Sequence, residues 1–258
     1  DHRDLHSFPT RRSSDLLTYL RDNGGQVFGQ AIRTVGFKGT QFGPFPSQYN
    51  PSSLKSMTDK QLTGLATSVG ISKAPGKAKA DVEINGAGVS LKSSKAAPSA
   101  LVNHTTRPGF EFACNHVGIS INTLDQIIDN YWQKRLSGII GEDTRISDQQ
   151  CPFANHFIYL QPLLEYFLFD GTGGGLSEKP ADYLIVFSDP LDECTYKKLT
   201  KAEAVNALWT GLTFSVRSKG MPNNYNASTY NKPNAASIKR WVRYLNGDYK
   251  GALHIRSG

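Results

Sequence analysis

The chain has 258 residues, 38% hydrophobic and 20% charged, and its 29 Lys and Arg against 22 Asp and Glu give a formal net charge of +7. This apolar content is too high for a disordered chain, and no apolar run reaches the roughly 20 residues of a membrane-spanning helix, so we expect no membrane partner. The positive charge favours a polyanionic partner such as nucleic acid. The three cysteines are far apart and odd in number, which favours free thiols and a cytoplasmic location.

The first sixteen residues, DHRDLHSFPTRRSSDL, resemble a sequencing adapter translated in one frame. The segment has no apolar stretch of the kind that signal peptides contain. Its three Arg are balanced by three Asp, so it does not account for the positive charge. We therefore expect residues 1–16 to be non-native.

The next part of the chain, up to about Gly76, is rich in Gly, Pro, Ser and Gln, which predicts much loop. One helix is predicted before Gly24, and apolar residues at helical spacing predict another over Asp59–Val69. Two strands follow, since Lys79–Ile84 and Val89–Ser93 alternate apolar and polar residues. The Asn-Gly pair between these strands is a strong signal for a hairpin.

This hairpin is expected to carry a polar face. Because side chains alternate across a strand, Asp81 and Glu83 share one face of the first strand, and Ser90 and Lys92 share one face of the second. Carboxylates beside a lysine can hold Mg²⁺ and orient a water molecule for phosphodiester hydrolysis. A cross-strand ion pair with no catalytic role accounts for the same residues, and this alternative stays open.

Helices and strands alternate in the rest of the chain. A capping box formed by Thr123 and Gln126 predicts a helix reaching Leu136, and Gly138 can end it. Further predicted elements are a buried helix over 160–168, a turn at 171–175, a buried strand over 181–187, a helix over 200–208, a half-buried strand over 212–217 and a last helix over 238–245. This order predicts an α/β (α+β) fold with a central mixed β-sheet flanked by helices.

The segment AKADVEINGAGVSLKSS (78–94) resembles the core motif of the PD-(D/E)xK nucleases. EFACNHVGIS (111–120) and the helix after it are similar to the segment that follows the catalytic lysine in type II restriction endonucleases of the MspI kind. The resemblance covers about 77–136 well and the C-terminal third only loosely. It implies a restriction-endonuclease-like core within one domain over 17–258, with a catalytic part at about 77–141 and a DNA-contacting part at about 150–258.

The resemblance also implies roles for individual residues. Asp81 would be the main metal ligand, for Mg²⁺, and Lys92 would orient or activate the water. Ser90 stands where most members of the family have Asp or Glu, and this departure lowers the expected metal affinity. Glu111 and Glu83 are the candidates to supply the missing carboxylate.

The function implied is Mg²⁺-dependent, site-specific hydrolysis of double-stranded DNA by a monomer or homodimer. A cognate DNA methyltransferase is expected as a functional partner. The alternatives are a phage or repair nuclease with the same core, and a non-catalytic DNA-binding protein.

Two groups of polar and basic residues are candidates for contacts with bases or phosphates. One lies in the loop expected beyond the catalytic strand, and the other comprises 215–226 and the last helix. The candidates are Lys95, Asn103, His104, Arg107, Arg217, Lys219, Lys239, Arg240 and Arg243.

A structural zinc site is a weaker possibility. Cys114 with His116, and Cys151 with His156, offer four ligands, but neither spacing is that of a standard zinc finger. Buried thiols and ordinary histidines are the expected outcome.

Overall fold

The computed structural model describes residues 17–37, 40–68, 70, 78–94, 100–189, 192–232 and 236–257. The predictions for 1–16 and for Lys95 lie outside these ranges. The chain divides into two compact units: unit 1 comprises the described residues of 1–97 with Ser177–Lys201, and unit 2 comprises those of Pro98–Leu176 with Ala202–Gly258. The predicted catalytic part at 77–141 is divided between them. That 17–258 form one endonuclease domain stays a prediction.

The helices of the described residues are α1 (17–22), α2 (Pro51–Ser56), α3 (Asp59–Ser68), α4 (Arg107–Val117), α5 (Ile121–Leu136), α6 (Phe157–Glu165), α7 (Lys201–Trp209), α8 (Ala227–Tyr230) and α9 (Ala236–Lys239). The strands are β1 (Gln26–Val27), β2 (Gln30–Ala31), β3 (Val35–Phe37), β4 (Thr40–Gln41), β5 (Val82–Ile84), β6 (Ala87–Ser93), β7 (Ala100–Thr106), β8 (Thr144–Arg145), β9 (Gly171–Thr172), β10 (Gly175–Leu176), β11 (Tyr183–Phe187), β12 (Lys197–Leu199), β13 (Leu212–Arg217), β14 (Arg243–Leu245), β15 (Asp248–Lys250) and β16 (Ala252–Ser257). None of these helices is long and apolar enough to cross a membrane.

Unit 1 is built on a six-stranded sheet in the order β12-β11-β6-β5-β3-β4. Strands β6 and β11 pair in parallel and the other pairs are antiparallel, so the sheet is mixed. One face carries the core, where Val82, Val89 and Leu91 pack with Leu17 of α1 and Ala66 of α3. The expectation of a mixed α/β protein with a central mixed sheet and flanking helices is therefore confirmed.

The β5–β6 hairpin forms as predicted. Asn85 and Gly86 both have positive φ angles, 52° and 84°, as a two-residue type I′ turn requires. The Asn85 side chain accepts hydrogen bonds from the backbone N–H groups of Arg33 and Thr34 and donates one to the carbonyl of Ala31. The turn is thus held in place by a neighbouring segment of unit 1.

Unit 2 contains an antiparallel sheet in the order β7-β16-β13-β8, with helices packed around a large aromatic core. Phe153 and Phe214 stack with ring centroids 4.2 Å apart. Trp132 and Trp241 are fully buried, and the indole N–H of Trp132 donates to the carbonyl of Trp241 at 2.8 Å.

A buried ion pair lies in the same core. The Arg107 guanidinium donates two hydrogen bonds to Asp125, at 2.8 and 2.9 Å, and the indole N–H of Trp241 donates to Asp125 at 2.7 Å. The side chains of Arg107 and Asp125 are 11% and 8% exposed. Asp125, and to a smaller extent Glu111, raise the pKa of Arg107, although burial opposes this. The pair therefore ties α4, α5 and Trp241 together.

Several sequence predictions are wrong in unit 2. The loop expected to hold Asn103, His104 and Arg107 is instead strand β7 followed by the start of α4. Helix α5 begins earlier than predicted, because Ser120 caps it by accepting a hydrogen bond from the N–H of Asn122. Its predicted apolar stripe also stops short of Leu136, which is 56% exposed.

The predicted last helix over 238–245 is also wrong. Helix α9 ends at Lys239, and Arg243–Leu245 forms a strand that pairs with Asp248–Lys250. The cause is the turn at Asn246 and Gly247, whose positive φ angles match a hairpin rather than a helix. Strand β13 is buried on both faces and not on one, since Thr213 and Ser215 are buried as well as Phe214.

Candidate functional site

The β5–β6 hairpin belongs to the sheet of unit 1, and one of its two faces is polar. In its register Val82 lies opposite Val89, and both belong to the core face. Because side chains alternate, Asp81, Ser90 and Lys92 all lie on the opposite side, which we call the polar face. The structure therefore brings these three predicted residues together on adjacent strands.

The carboxylate of Asp81 has a defined orientation. Its Oδ2 accepts a hydrogen bond from the backbone N–H of Leu91 at 2.7 Å and one from the Ser90 hydroxyl at 3.3 Å. Ser90 is buried and adds no charge to the site. Ser90 therefore contributes a hydrogen bond and no charge at the position where most members of the family that the motif resembles have a carboxylate.

Lys79 is a further member of the site that the sequence analysis missed. Burial and the positive charge of Lys92 lower its pKa to about 8, and the negative charge of Asp81 opposes the shift. Lys79 is therefore close enough to Asp81 and Lys92 for their charges to shift its pKa. Since Lys79 precedes Asp81 by two residues, strand alternation was a signal that could have identified it.

Glu83 lies near the same site but is engaged in an ion pair. Its carboxylate is 3.0 Å from Nζ of Lys179, just before β11. A second carboxylate from this region, Asp182, accepts a hydrogen bond from the N–H of Gly88 at 2.7 Å. Both contacts join segments more than ninety residues apart. No local pattern in the sequence indicates them.

Glu111 belongs to unit 2. It lies on α4, one turn after Arg107, where its carboxylate is 3.2 Å from the guanidinium of Arg107 and accepts a hydrogen bond from the Ser237 hydroxyl at 3.1 Å. Its predicted role as a substitute metal ligand or catalytic group stays a prediction, as does the metal role of Glu83.

The donor set can be compared with what a magnesium ion requires. Among the described residues, no three His, Cys, Asp or Glu side chains form a group that could hold a metal ion. Mg²⁺, however, is commonly held by one or two carboxylates together with water and substrate phosphate oxygens. The oriented Asp81 carboxylate with the neighbouring Ser90 hydroxyl fits an ion of this kind, bound chiefly when the phosphate is present.

The cysteines favour the expected structural role over zinc. Cys114 and Cys151 are buried free thiols, and burial raises the pKa of both. The Sγ atom of Cys114 lies 3.7 Å from the hydroxyl of Tyr159. A thiol with a raised pKa is a poor metal ligand, because zinc binds the thiolate.

Unit 2 brings members of the two predicted DNA-contacting groups together. The rings of His104 and His254 stack with centroids 4.1 Å apart, and the charges of Lys219 and Arg217 act on His104. Asn103 adjoins them, with its side-chain oxygen 2.7 Å from Nδ1 of His104. The strand order β7-β16-β13 accounts for this meeting of distant residues.

The other residues predicted to contact DNA form different interactions within the protein. Arg107 is committed to the buried pair with Asp125, which favours a structural role. Arg240 and Arg243 both form ion pairs with Asp129. Lys239 instead places its ammonium 4.6 Å from the centroid of the Tyr230 ring.

The stacked histidines predict how stability depends on pH. Burial, reinforced by His254, Lys219 and Arg217, lowers the pKa of His104 to about 4. Burial also lowers the pKa of His254, with Arg217 adding to this effect. Unfolded histidine titrates near 6.5, so the folded state binds fewer protons below that pH. The free energy of unfolding should therefore fall as pH decreases from about 6.5 towards 4 and should not depend on these groups above that window.

Urea denaturation at about pH 7 and pH 5 measures this effect above the range in which most carboxylates titrate. We expect His104→Gln to lose less stability than the unsubstituted chain between the two pH values. An equal loss in both proteins would contradict the assignment of the effect to His104.

Comparisons of the chain with protein-family models, with curated proteins and with solved structures find no match. The motif on the β5–β6 hairpin and the geometry of the polar face therefore carry the functional interpretation by themselves.

Proposed function

We propose that the protein is a Mg²⁺-dependent endonuclease that hydrolyses phosphodiester bonds of double-stranded DNA at the polar face of unit 1. The observation that carries this proposal is the contact of Asp81 with Ser90 and the Leu91 N–H, with Lys92 on the same face. It supports the motif resemblance because an oriented carboxylate and a lysine on adjacent strands are the central elements of that motif.

Three residues at the polar face have separate roles in the proposed hydrolysis. Asp81 would hold the ion, and Mg²⁺ when bound supplies a Lewis acid that neutralises phosphate charge and lowers the pKa of coordinated water. Lys92 hydrogen-bonds to the attacking water and orients it towards phosphorus. Lys79 adds a second positive charge beside the site, where negative charge develops in the transition state.

The resemblance to type II restriction endonucleases supports the finer part of the proposal. It adds cleavage at specific sites, a cytoplasmic location, a monomeric or homodimeric state and a companion DNA methyltransferase. The rival function is DNA binding without cleavage. The ion pairs that engage Glu83 and Glu111 favour it, because they compete with any metal role for these carboxylates.

The test is to incubate the purified chain with unmethylated phage DNA in Mg²⁺ and, separately, in EDTA. Discrete fragments in Mg²⁺ alone are the expected result, and sequencing their ends identifies the site. A smear in Mg²⁺ supports a non-specific nuclease on the same core. Intact DNA that is retarded on a native gel overturns the nuclease proposal in favour of the binding protein.

A further inference from the structure

Four tyrosines cluster at the C-terminal end of unit 2, on α8, the β14–β15 hairpin and the loop before α8. Tyr249 is at the centre, with ring centroids 4.9 Å from Tyr244, 5.6 Å from Tyr230 and 5.6 Å from Tyr225. We call these four residues the tyrosine patch. Tyr244 lies directly opposite Tyr249 in the hairpin register, and its side chain is 62% exposed.

The segment that carries the tyrosine patch is rich in basic residues. Between residues 217 and 250 the sequence has seven Lys or Arg and a single acidic residue, Asp248. Four of the seven form ion pairs with acidic residues of other segments, and these are Arg217, Arg240, Arg243 and Lys250. The ammonium of Lys239 lies over the Tyr230 ring, 4.6 Å from its centroid. Lys219 and Lys232 form no ion pair within the described part of the chain. Aromatic rings presented beside unpaired positive charges are typical of surfaces that bind single-stranded nucleic acid.

We propose that the tyrosine patch binds unpaired nucleobases of DNA by stacking, with the surrounding lysines attracting the phosphates. The exposed face of Tyr244 would receive the base, and Tyr249 holds the Tyr244 ring in place from the neighbouring strand. Bases within a duplex do not offer their faces, so the ligand is a single strand, an overhang or a nucleotide displaced from the helix. This inference rests on the proposed function in so far as DNA is the ligand of both.

The contact also has a purely structural interpretation, because cross-strand aromatic pairs stabilise hairpins. That role requires only the packing of Tyr244 on Tyr249. It does not account for the exposure of Tyr244 or for the Lys239 ammonium over the Tyr230 ring, and it predicts no dependence of binding on bases.

Fluorescence anisotropy of a labelled 20-nucleotide oligo-dT, in EDTA to prevent cleavage, measures binding to bases and phosphates together. A 20-nucleotide abasic strand carries the same phosphates and no bases. We expect the chain to bind oligo-dT about tenfold more tightly than the abasic strand. Tyr244→Ala should weaken oligo-dT binding by roughly tenfold and leave abasic binding unchanged.

Two further variants control for loss of folding and loss of packing. Tyr244→Phe retains the ring and should retain affinity, whereas Tyr244→Leu retains apolar packing on Tyr249 and should lose affinity as the alanine variant does. Phe112→Ala removes another exposed aromatic side chain of unit 2, 44% exposed, and should have no effect.

Equal affinity of the unsubstituted chain for both strands overturns the inference, as does an equal loss for both strands in Tyr244→Ala. Both results can occur together with Mg²⁺-dependent cleavage of duplex DNA. Failure of the stacking surface is therefore distinguishable from failure of the nuclease proposal.

Discussion

Replacing Asp81 by Asn is expected to reduce Mg²⁺-dependent DNA cleavage by about a thousandfold, the equivalent of about 4 kcal/mol of transition-state stabilisation. The substitution removes the negative charge that would hold the ion and keeps the size of the side chain. An amide oxygen at this position can still accept the hydrogen bond from the Leu91 N–H. The fold should therefore persist while cleavage is lost. The measurement is the rate of cleavage in Mg²⁺ together with affinity for duplex DNA in Ca²⁺, which should change little.

Two companion variants show whether the effect belongs to the site. Glu178→Gln removes one negative charge from an exposed position of unit 1 and should cleave normally. Ser90→Ala removes the hydroxyl that lies 3.3 Å from Asp81 and leaves the carboxylate in place, so we expect a loss of about tenfold, between the other two variants. Normal cleavage by the Asp81→Asn variant would refute the location of the site on this hairpin.

Replacing Asp125 by Ala is expected to destabilise the protein by about 3–5 kcal/mol. The variant leaves the guanidinium of Arg107 buried without its main partner, and it leaves the indole N–H of Trp241 without its acceptor. Each is a polar group removed from water, and the charged one is the more costly. Urea denaturation followed by circular dichroism measures the loss.

Helix α5 supplies a matched control for this variant. Asp129 lies one turn after Asp125 on the same helix and forms ion pairs with Arg240 and Arg243, whose side chains are 44% and 34% exposed. Because exposed ion pairs stabilise proteins little, Asp129→Ala should cost less than about 1 kcal/mol. Similar losses in the two variants would show that burial of the Arg107–Asp125 pair does not determine its contribution.

The parts of the fold that were predictable depend on local patterns. The β5–β6 hairpin follows from alternation and from the Asn-Gly turn, and these two signals agree with each other. At 238–245 two local signals conflict: apolar residues occur at helical spacing, but Asn246-Gly247 favours a hairpin. The hairpin forms, and Trp241 and Val242 are buried without being helical. Spacing alone does not distinguish these outcomes.

The candidate site was predictable to the same extent. Asp81, Ser90 and Lys92 were found because one hairpin carries all three, and Lys79 could have been found by the same alternation. Lys179 and Asp182 could not, since they reach the sheet through a parallel strand that is distant in sequence. The pairing of such a strand depends on the packing of the whole unit, and no pattern in the sequence near β6 indicates that β11 will pair with it.

The interleaving of the two units has a consequence for synthesis on the ribosome. The chain leaves unit 1 after residue 97, returns at Ser177 and leaves again after Lys201. Strand β6 pairs with β5 within a few residues, but its other neighbour, β11, is made about ninety residues later. At roughly 5–20 residues per second, the edge of β6 remains unpaired for about 5–20 s while the whole first segment of unit 2 is synthesised. During that interval the unpaired edge of the strand that carries Ser90 and Lys92 can pair with another nascent chain. Close spacing of ribosomes on one messenger RNA would increase such mispairing and reduce the yield of the correctly formed sheet.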